Sequence, residues 1–438
     1  MSRPPHNPVW RGIVPMNLGM NRSSINKLAC VIQAMIVVLG LPLSASGQAL
    51  HGEWVNQSQA VIQEHRKTDV QIVVLDENDR AVLGAQVHVE QLRHDFVIGL
   101  TLPVDRAPPD ALSGQPVWRC VNAVSLDRLT QWTGADLIEP GEDPVAVARD
   151  WIRAIGPDRI VYGRVISADA GKNPDALLAM SREAFQDALL QRFDDALGTG
   201  RTVYSYDLYS DCVFAGVVEQ RLGYGMLNRL YDTAQARRPD AQFNIRVNNG
   251  LDMRRSRDMF QRVQALQLRQ IHFDGITIDQ QFNARVQALS LARTLNDRVH
   301  TLPVPVTIVG LEVGGASSIA AAFNFETVLR LLFAQPNITG IYLAGMTAED
   351  LDDPSAALIG EAGRLTASGQ VFDDLFHRLW WTDLTEVSDD LGNISARVFA
   401  GTYRLTATLP DGRVCETEVH LPKADEPRRV VLQVGPVE

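Results

Sequence analysis

The stretch VYSYDLYSD, residues 203–211, reads as a β-strand that stops on a carboxylate. Polar Ser205, Asp207 and Asp211 alternate with bulky residues, and Cys212 follows directly. Strand side chains alternate between faces, so a polar set within an apolar run marks a strand whose end carries chemistry. Similar short apolar runs flank it: IVYGRVIS, QFNIRVNN, FDGITIDQ, VPVTIVGLEV and NITGIYLAG. Helix-length stretches separate them. In RLGYGMLNRLYDTAQARR, residues Leu222, Met226, Leu227, Leu230 and Ala234 recur at helical spacing. Six or more strand–helix repeats between 99 and 382 predict an α/β fold, a (β/α)8 TIM barrel. A doubly wound sheet is the alternative, but no GxGxxG follows the first strand.

Two β-patterned segments flank the barrel. In 49–98, Val70, Ile72 and Val74 share one strand face and Val87 and Val89 another, with the turn-rich DENDRAVLG between them. In 383–438, Tyr403, Leu405, Ala407 and Leu409 alternate, PDG turns the chain, and CETEVHL returns. Each piece is small, so the N- and C-terminal elements are expected to pack together.

Of the 438 residues, 45% are hydrophobic and 21% charged, which describes an ordinary globule. Lys27 precedes the apolar run LACVIQAMIVVLGLPL, and the small residues SASGQA follow it. That pattern predicts an export signal over 1–48, with a conventional start at Met20, and a periplasmic or extracellular protein. An uncleaved anchor is the alternative, although about 16 residues is short for a membrane span. Beyond residue 48 there are 37 basic and 52 acidic residues, a net charge of −15. Nucleic acid and anionic membranes are therefore not expected partners. Cys120, Cys212 and Cys415 form no disulfide framework, though one pair plus a free thiol remains open. No CxxC or HExxH spacing predicts a metal, and no cofactor motif appears.

Taken in order, these segments resemble glycoside hydrolase family 10, best known for endo-1,4-β-xylanases on a (β/α)8 barrel. NAVSLDRLTQW resembles the family's early motif ending in Lys-Trp, and IVYGRVIS the strand with Gly-His. YSYDLYSD resembles the strand ending Trp-Asp-Val-x-Asn-Glu, whose Glu is the acid/base. FDGITIDQQF resembles Asp-Gly-Ile-Gly-x-Gln-x-His, VTIVGLEV the nucleophile strand, and GIYLAGM the last strand with its Trp-Gly. The match covers about 90–382. At nearly every catalytic position the chain departs from it. Asp211 replaces the acid/base Glu and Gly310 stands at the nucleophile. Arg164 replaces a His, Asp279 and Gln281 stand at the Gln and His, and Ala344 replaces the Trp. Trp132, Asp207, Asp274 and Gly275 remain.

The resemblance implies retaining hydrolysis by two carboxyl groups about 5 to 5.5 Å apart. Asp211 differs from Glu by one methylene, whereas Gly310 offers no side chain. Glu312 lies two residues on, in Gly310's direction if the strand is regular, about 6.5 Å along it; a bulge would shift that register. Asp279 is another carboxylate at a strand end. Trp132, Arg164, Asp207, Tyr209, Asn249, Asp279 and Gln281 are the expected sugar-binding set, with Asp211 and Glu312 as the catalytic candidates. Arg164 also suits an ion pair with Asp169 or Asp207. Of the neighbouring tyrosines 204, 206 and 209, two are expected to pack between helices and sheet. Cys212 is expected to be a packed thiol, and Trp380 and Trp381 to join barrel and tail. An exported binder of β-1,4-linked polysaccharide with impaired or lost catalysis is the expected function. A working xylanase-like enzyme using Asp211 and Glu312 is the alternative.

Overall fold

The computed structural model describes residues 47–102, 116–126, 150, 153, 159–169, 175–197, 203–283 and 286–434. Trp132 and all but the last two residues of the expected export segment lie outside them. The chain divides into residues 1–57 and 58–438. A helix not foreseen from the sequence, Gly47–Arg66, ends in the second unit. Among the described residues no helix is long and apolar enough to cross a membrane.

Among the described residues the strands are β1 Lys67–Leu75, β2 Gln86–His94, β3 Val97–Thr101, β4 Ala123–Ser125, β5 Ile160–Ser167, β6 Val203–Ser210, β7 Gln242–Asn248, β8 Gly275–Phe282, β9 Val306–Val313, β10 Ile338–Leu343, β11 Asp383–Val387, β12 Asn393–Phe399, β13 Gly401–Thr408, β14 Val414–Leu421 and β15 Arg428–Gln433. Strands β3 to β10 close in sequence order into an eight-stranded parallel barrel, β10 meeting β3. Helices such as Arg182–Leu197, Met253–Leu268 and Ser318–Ala334 return the chain between strands. The expected TIM barrel is the observed fold.

The flanking segments combine into one sandwich. A three-stranded sheet, β12-β1-β15, faces a four-stranded one, β11-β2-β13-β14. Their alternating apolar residues, Val70, Ile72 and Val74 against Val87, Val89, Tyr403 and Leu405, fill one core, as packing of two half-buried sheets requires.

Inside the barrel, Ala123, Tyr162, Val309 and Tyr342 form an apolar plug. Gly99 is needed here, because a Cβ would overlap the Tyr342 ring. The plug makes the barrel a packed core and confines any ligand to the face formed by the strands' C-terminal ends.

The opposite side of the barrel meets the sandwich through an aromatic seam. Trp380 is fully buried and stacks on Phe333 at 4.3 Å, and Phe376, Phe96, Phe399 and His94 surround the pair. Of the two tryptophans expected to join barrel and tail, Trp380 supplies this packing, while Trp381 sits half-buried against His377. Arg66 reaches into the seam and donates to the carbonyls of Phe333 (2.8 Å), Gln335 (2.5 Å) and Ile338 (2.7 Å). It thereby satisfies the carbonyl of Phe333 in the last turn of helix Ser318–Ala334 and ties that turn to the start of β10. Burial lowers its pKa to about 9. Burial, with Arg66 nearby, also pushes His94 down to about 3, so its ring is neutral and Nδ1 accepts from the Phe96 amide at 3.0 Å.

Candidate active site

Strand β6 delivers Asp211 to the barrel mouth in a left-handed conformation, φ 56°, which Asp tolerates better than most residues. Three neighbours hold its carboxylate. Ser167, ending β5, donates at 2.6 Å, Ser210 at 3.4 Å, and Asn248, ending β7, donates to Oδ1. The loop beyond is fixed by a buried ion pair: Arg262 donates to the Cys212 carbonyl at 2.7 Å and binds Glu219. Cys212 is fully buried, its thiol on the Arg246 carbonyl at 3.4 Å, and burial pushes its pKa up to about 12. It is the packed thiol that was expected. Among the described residues Cys120, Cys212 and Cys415 are all unpaired.

Gly310, where the resemblance expects the nucleophile, lies at an irregularity of β9. Between Asp279 and Gln281 of β8, strand β9 spends three steps, Val309 to Glu312, against two. The same slip recurs against β10. This is a β-bulge, and Gly310 at its centre is left-handed, φ 56°. A Cβ built there would overlap the Asp279 carboxylate. The neighbouring strand's acid therefore occupies the space that a side chain at 310 would enter. Asp279 is neutralised in turn by Arg246, its Nη2 2.5 Å from Oδ2. Arg246 is nearly buried and its Nη1 lies 3.8 Å from Asp207, itself fully buried and bonded to the Tyr162 hydroxyl. Tyr162, Asp207, Arg246 and Asp279 form one polar chain across β5 to β8, with a single arginine between two carboxylates.

The bulge also revises the expected alternation on β9. Three residues rather than two separate the lateral partners on β9: Glu312 pairs with Gln281, and Val309 with Asp279. Its carboxylate is buried and accepts the amides of Asp353 and of Asp352 (3.3 Å), in the loop after β10. Burial raises its pKa, against the pull of those amides. Gln281 joins the same cluster through Asp352 at 3.1 Å.

The structure brings Asp211, Asp279, Asp207 and Gln281 to this face. Half-buried Arg164 is in register with Asp207 on β5, and Asn249, also left-handed, follows β7 and donates its amide to the Asp279 carbonyl at 2.7 Å. Tyr209 does not belong with them. The β6–β7 register slips between Asp207 and Tyr209, and Tyr209 is fully buried with its hydroxyl on Glu219. Tyr206 is buried too, and Tyr204 is exposed. Sequence reasoning missed Arg246, Asn248 and Ser167. The first two share one face of FNIRVNN with Asn244, a polar stripe within a barrel strand that signals interior-facing residues.

No family model matches the chain. It is 23% identical over 366 residues to the anti-sigma-I factor RsgI6 of Acetivibrio thermocellus, covering 82% of this chain and 47% of that protein. It is 22% identical over 261 residues to endo-1,4-beta-xylanase 3 of Arabidopsis thaliana, covering 58% and 34%. The chain thus spans about half the length of the first relative and a third of the second. Among solved structures, xylanase 10B from Thermotoga petrophila, in complex with xylobiose, superposes with a TM-score of 0.54 at 14% identity, over 65% of this chain and 95% of that one. These likenesses show the fold, a (β/α)8 barrel shared with xylanase structures. In this chain that barrel carries a bulge in β9 with the left-handed Gly310 in it.

Proposed function

We propose that this protein is an exported relative of the xylanases that binds β-1,4-linked polysaccharide without hydrolysing it. The observation that carries this is the interlock of Gly310 and Asp279. A left-handed glycine gives the strand no attacking group, and the acid filling its space is held by a buried arginine. A carboxylate so paired is a poor nucleophile, since attack would leave Arg246 without its closest partner. Glu312, the other candidate, already accepts two backbone amides. Asp211 remains at the mouth, hydrogen-bonded and half-exposed, as a group suited to sugar hydroxyls. The xylanase relatives point to the ligand class, and a relative named as an anti-sigma factor suits a barrel kept for recognition.

The test is affinity electrophoresis in gels cast with β-1,4-xylan, cellulose derivatives or β-1,4-mannan. The wild-type protein is expected to be retarded by at least one of them, and Asp211→Ala to be retarded less. Equal mobility in all gels and in the blank contradicts the proposal.

A further inference from the structure

A groove of about 510 Å³ lies between helix Ser318–Ala334 and helix Ala367–Asp373 with its continuation Asp374–Leu379. Glu326 and Arg330 line one wall, and Val371, Asp374, Arg378 and Leu379 line the other. Each wall carries an ion pair spanning one helical turn: Arg330 Nε lies 2.8 Å from Glu326, and Arg378 binds Asp374. The pairs differ in burial. The Arg378 and Asp374 side chains are exposed, whereas that of Arg330 is only 8% exposed. A guanidinium carries five N–H donors. Among the described residues Arg330 donates through Nε alone, and its Nη nitrogens have no acceptor. The Trp380 ring, its centroid 6.0 Å from the guanidinium carbon, offers a π face and no oxygen. Other buried arginines are better supplied. Arg66 has the carbonyls of Phe333, Gln335 and Ile338, and Arg262 has the Cys212 carbonyl, the Tyr224 hydroxyl and Glu219. A buried donor without an acceptor is costly and uncommon.

We propose that this groove binds a small organic carboxylate, whose oxygens take the free donors of Arg330 and whose apolar body lies on Val371 and Leu379. A carboxylate is the acceptor that matches the guanidinium fork, and the charge on each partner strengthens the bond. The four ionised side chains of the walls are two arginines and two acids, so the groove itself adds no net repulsion to one negative charge. An ammonium ligand finds no such vacancy, because Glu326 and Asp374 are already paired. Half-buried Val371 and the 41% exposed Leu379 supply apolar contact. Ligand sites combine apolar walls with a few placed polar groups in this way, in volumes of roughly 300 to 1,000 Å³. The site lies between helices outside the barrel and does not depend on the polysaccharide-binding function above. A ligand held by both helices stabilises the folded chain by mass action.

Calorimetric titration of the full chain with octanoate and with octylammonium, which share an alkyl body and differ in charge, tests this. Octanoate is expected to bind and to raise the melting temperature, and octylammonium to bind about tenfold more weakly. Arg330→Met, which keeps an unbranched buried stem, is expected to weaken octanoate about tenfold (about 1.4 kcal/mol). Leu379→Ser, on the surface, is expected to weaken it about threefold. Three results overturn the proposal: no binding of octanoate to the wild type, equal binding of the two probes, or unchanged octanoate affinity in an Arg330→Met protein that melts normally. Should Arg330→Met fail to fold, Leu379→Ser decides: a loss of affinity supports the site, and unchanged affinity overturns it.

Discussion

The two ends of the barrel solve opposite problems with buried charge. At the seam, Arg66 and His94 lie among Phe96, Phe333, Phe399 and Trp380; carbonyl oxygens satisfy Arg66 and the His ring gives up its charge. At the mouth, Arg246 sits between two carboxylates, and buried charge is met by opposite charge in place. The seam is built for cohesion, with stacked rings and full burial. The mouth is built from mutually compensating polar groups, which permits replacement of a reacting residue provided its neighbours absorb the space and the charge.

That contrast can be broken first at the seam. Trp380→Ala removes a fully buried indole and its bond to Gln59 at 3.3 Å, and is expected to cost about 3–5 kcal/mol in denaturant unfolding. A loss below about 1 kcal/mol would show that the barrel and sandwich do not depend on each other. The next effect is one of pH. His94 takes a proton in the unfolded chain below about pH 6.5 but in the folded one only near 3. Its contribution is therefore complete above pH 6.5 and is lost as the pH falls. Between pH 6.5 and 5 that loss is about 2 kcal/mol. His94→Asn, which keeps an acceptor for the Phe96 amide, should remove this part of the slope in melting temperature against pH; an unchanged slope would contradict the assignment. A smaller effect is expected at the mouth. Gly310→Ala places a Cβ in a left-handed residue and against the Asp279 carboxylate, at a cost of about 1–2 kcal/mol. Combining it with Asp279→Gly should recover only the overlap, leaving the backbone strain, and full recovery would show that the glycine's conformation is not required.

The barrel was legible because its signals are local: short apolar runs ending in polar residues, separated by helical periodicity. The sandwich strands were legible for the same reason. Their pairing was not, since β2 takes β11 and β13 as neighbours across some 300 residues and nothing local fixes that choice. At the site, resemblance located Asp211, Gly310 and Asp279 strand by strand. That Asp279 fills the space beside Gly310 depends on a bulge, and a one-residue slip reverses faces without altering composition. A slip of the same kind between β6 and β7 misplaced Tyr209. Arg246 was visible as part of an alternating polar stripe in FNIRVNN, but its pairing with Asp279 emerges only when β7 and β8 stand side by side.

The central claim is that the interlocked seat has ended hydrolysis, and release of reducing ends from β-1,4-xylan by the purified protein tests it most directly. No release above the buffer blank is predicted for wild type, Asp211→Ala and Asp279→Asn alike. Release by wild type that disappears in both Asp211→Ala and Asp279→Asn would contradict it, and would make those two acids a working catalytic pair.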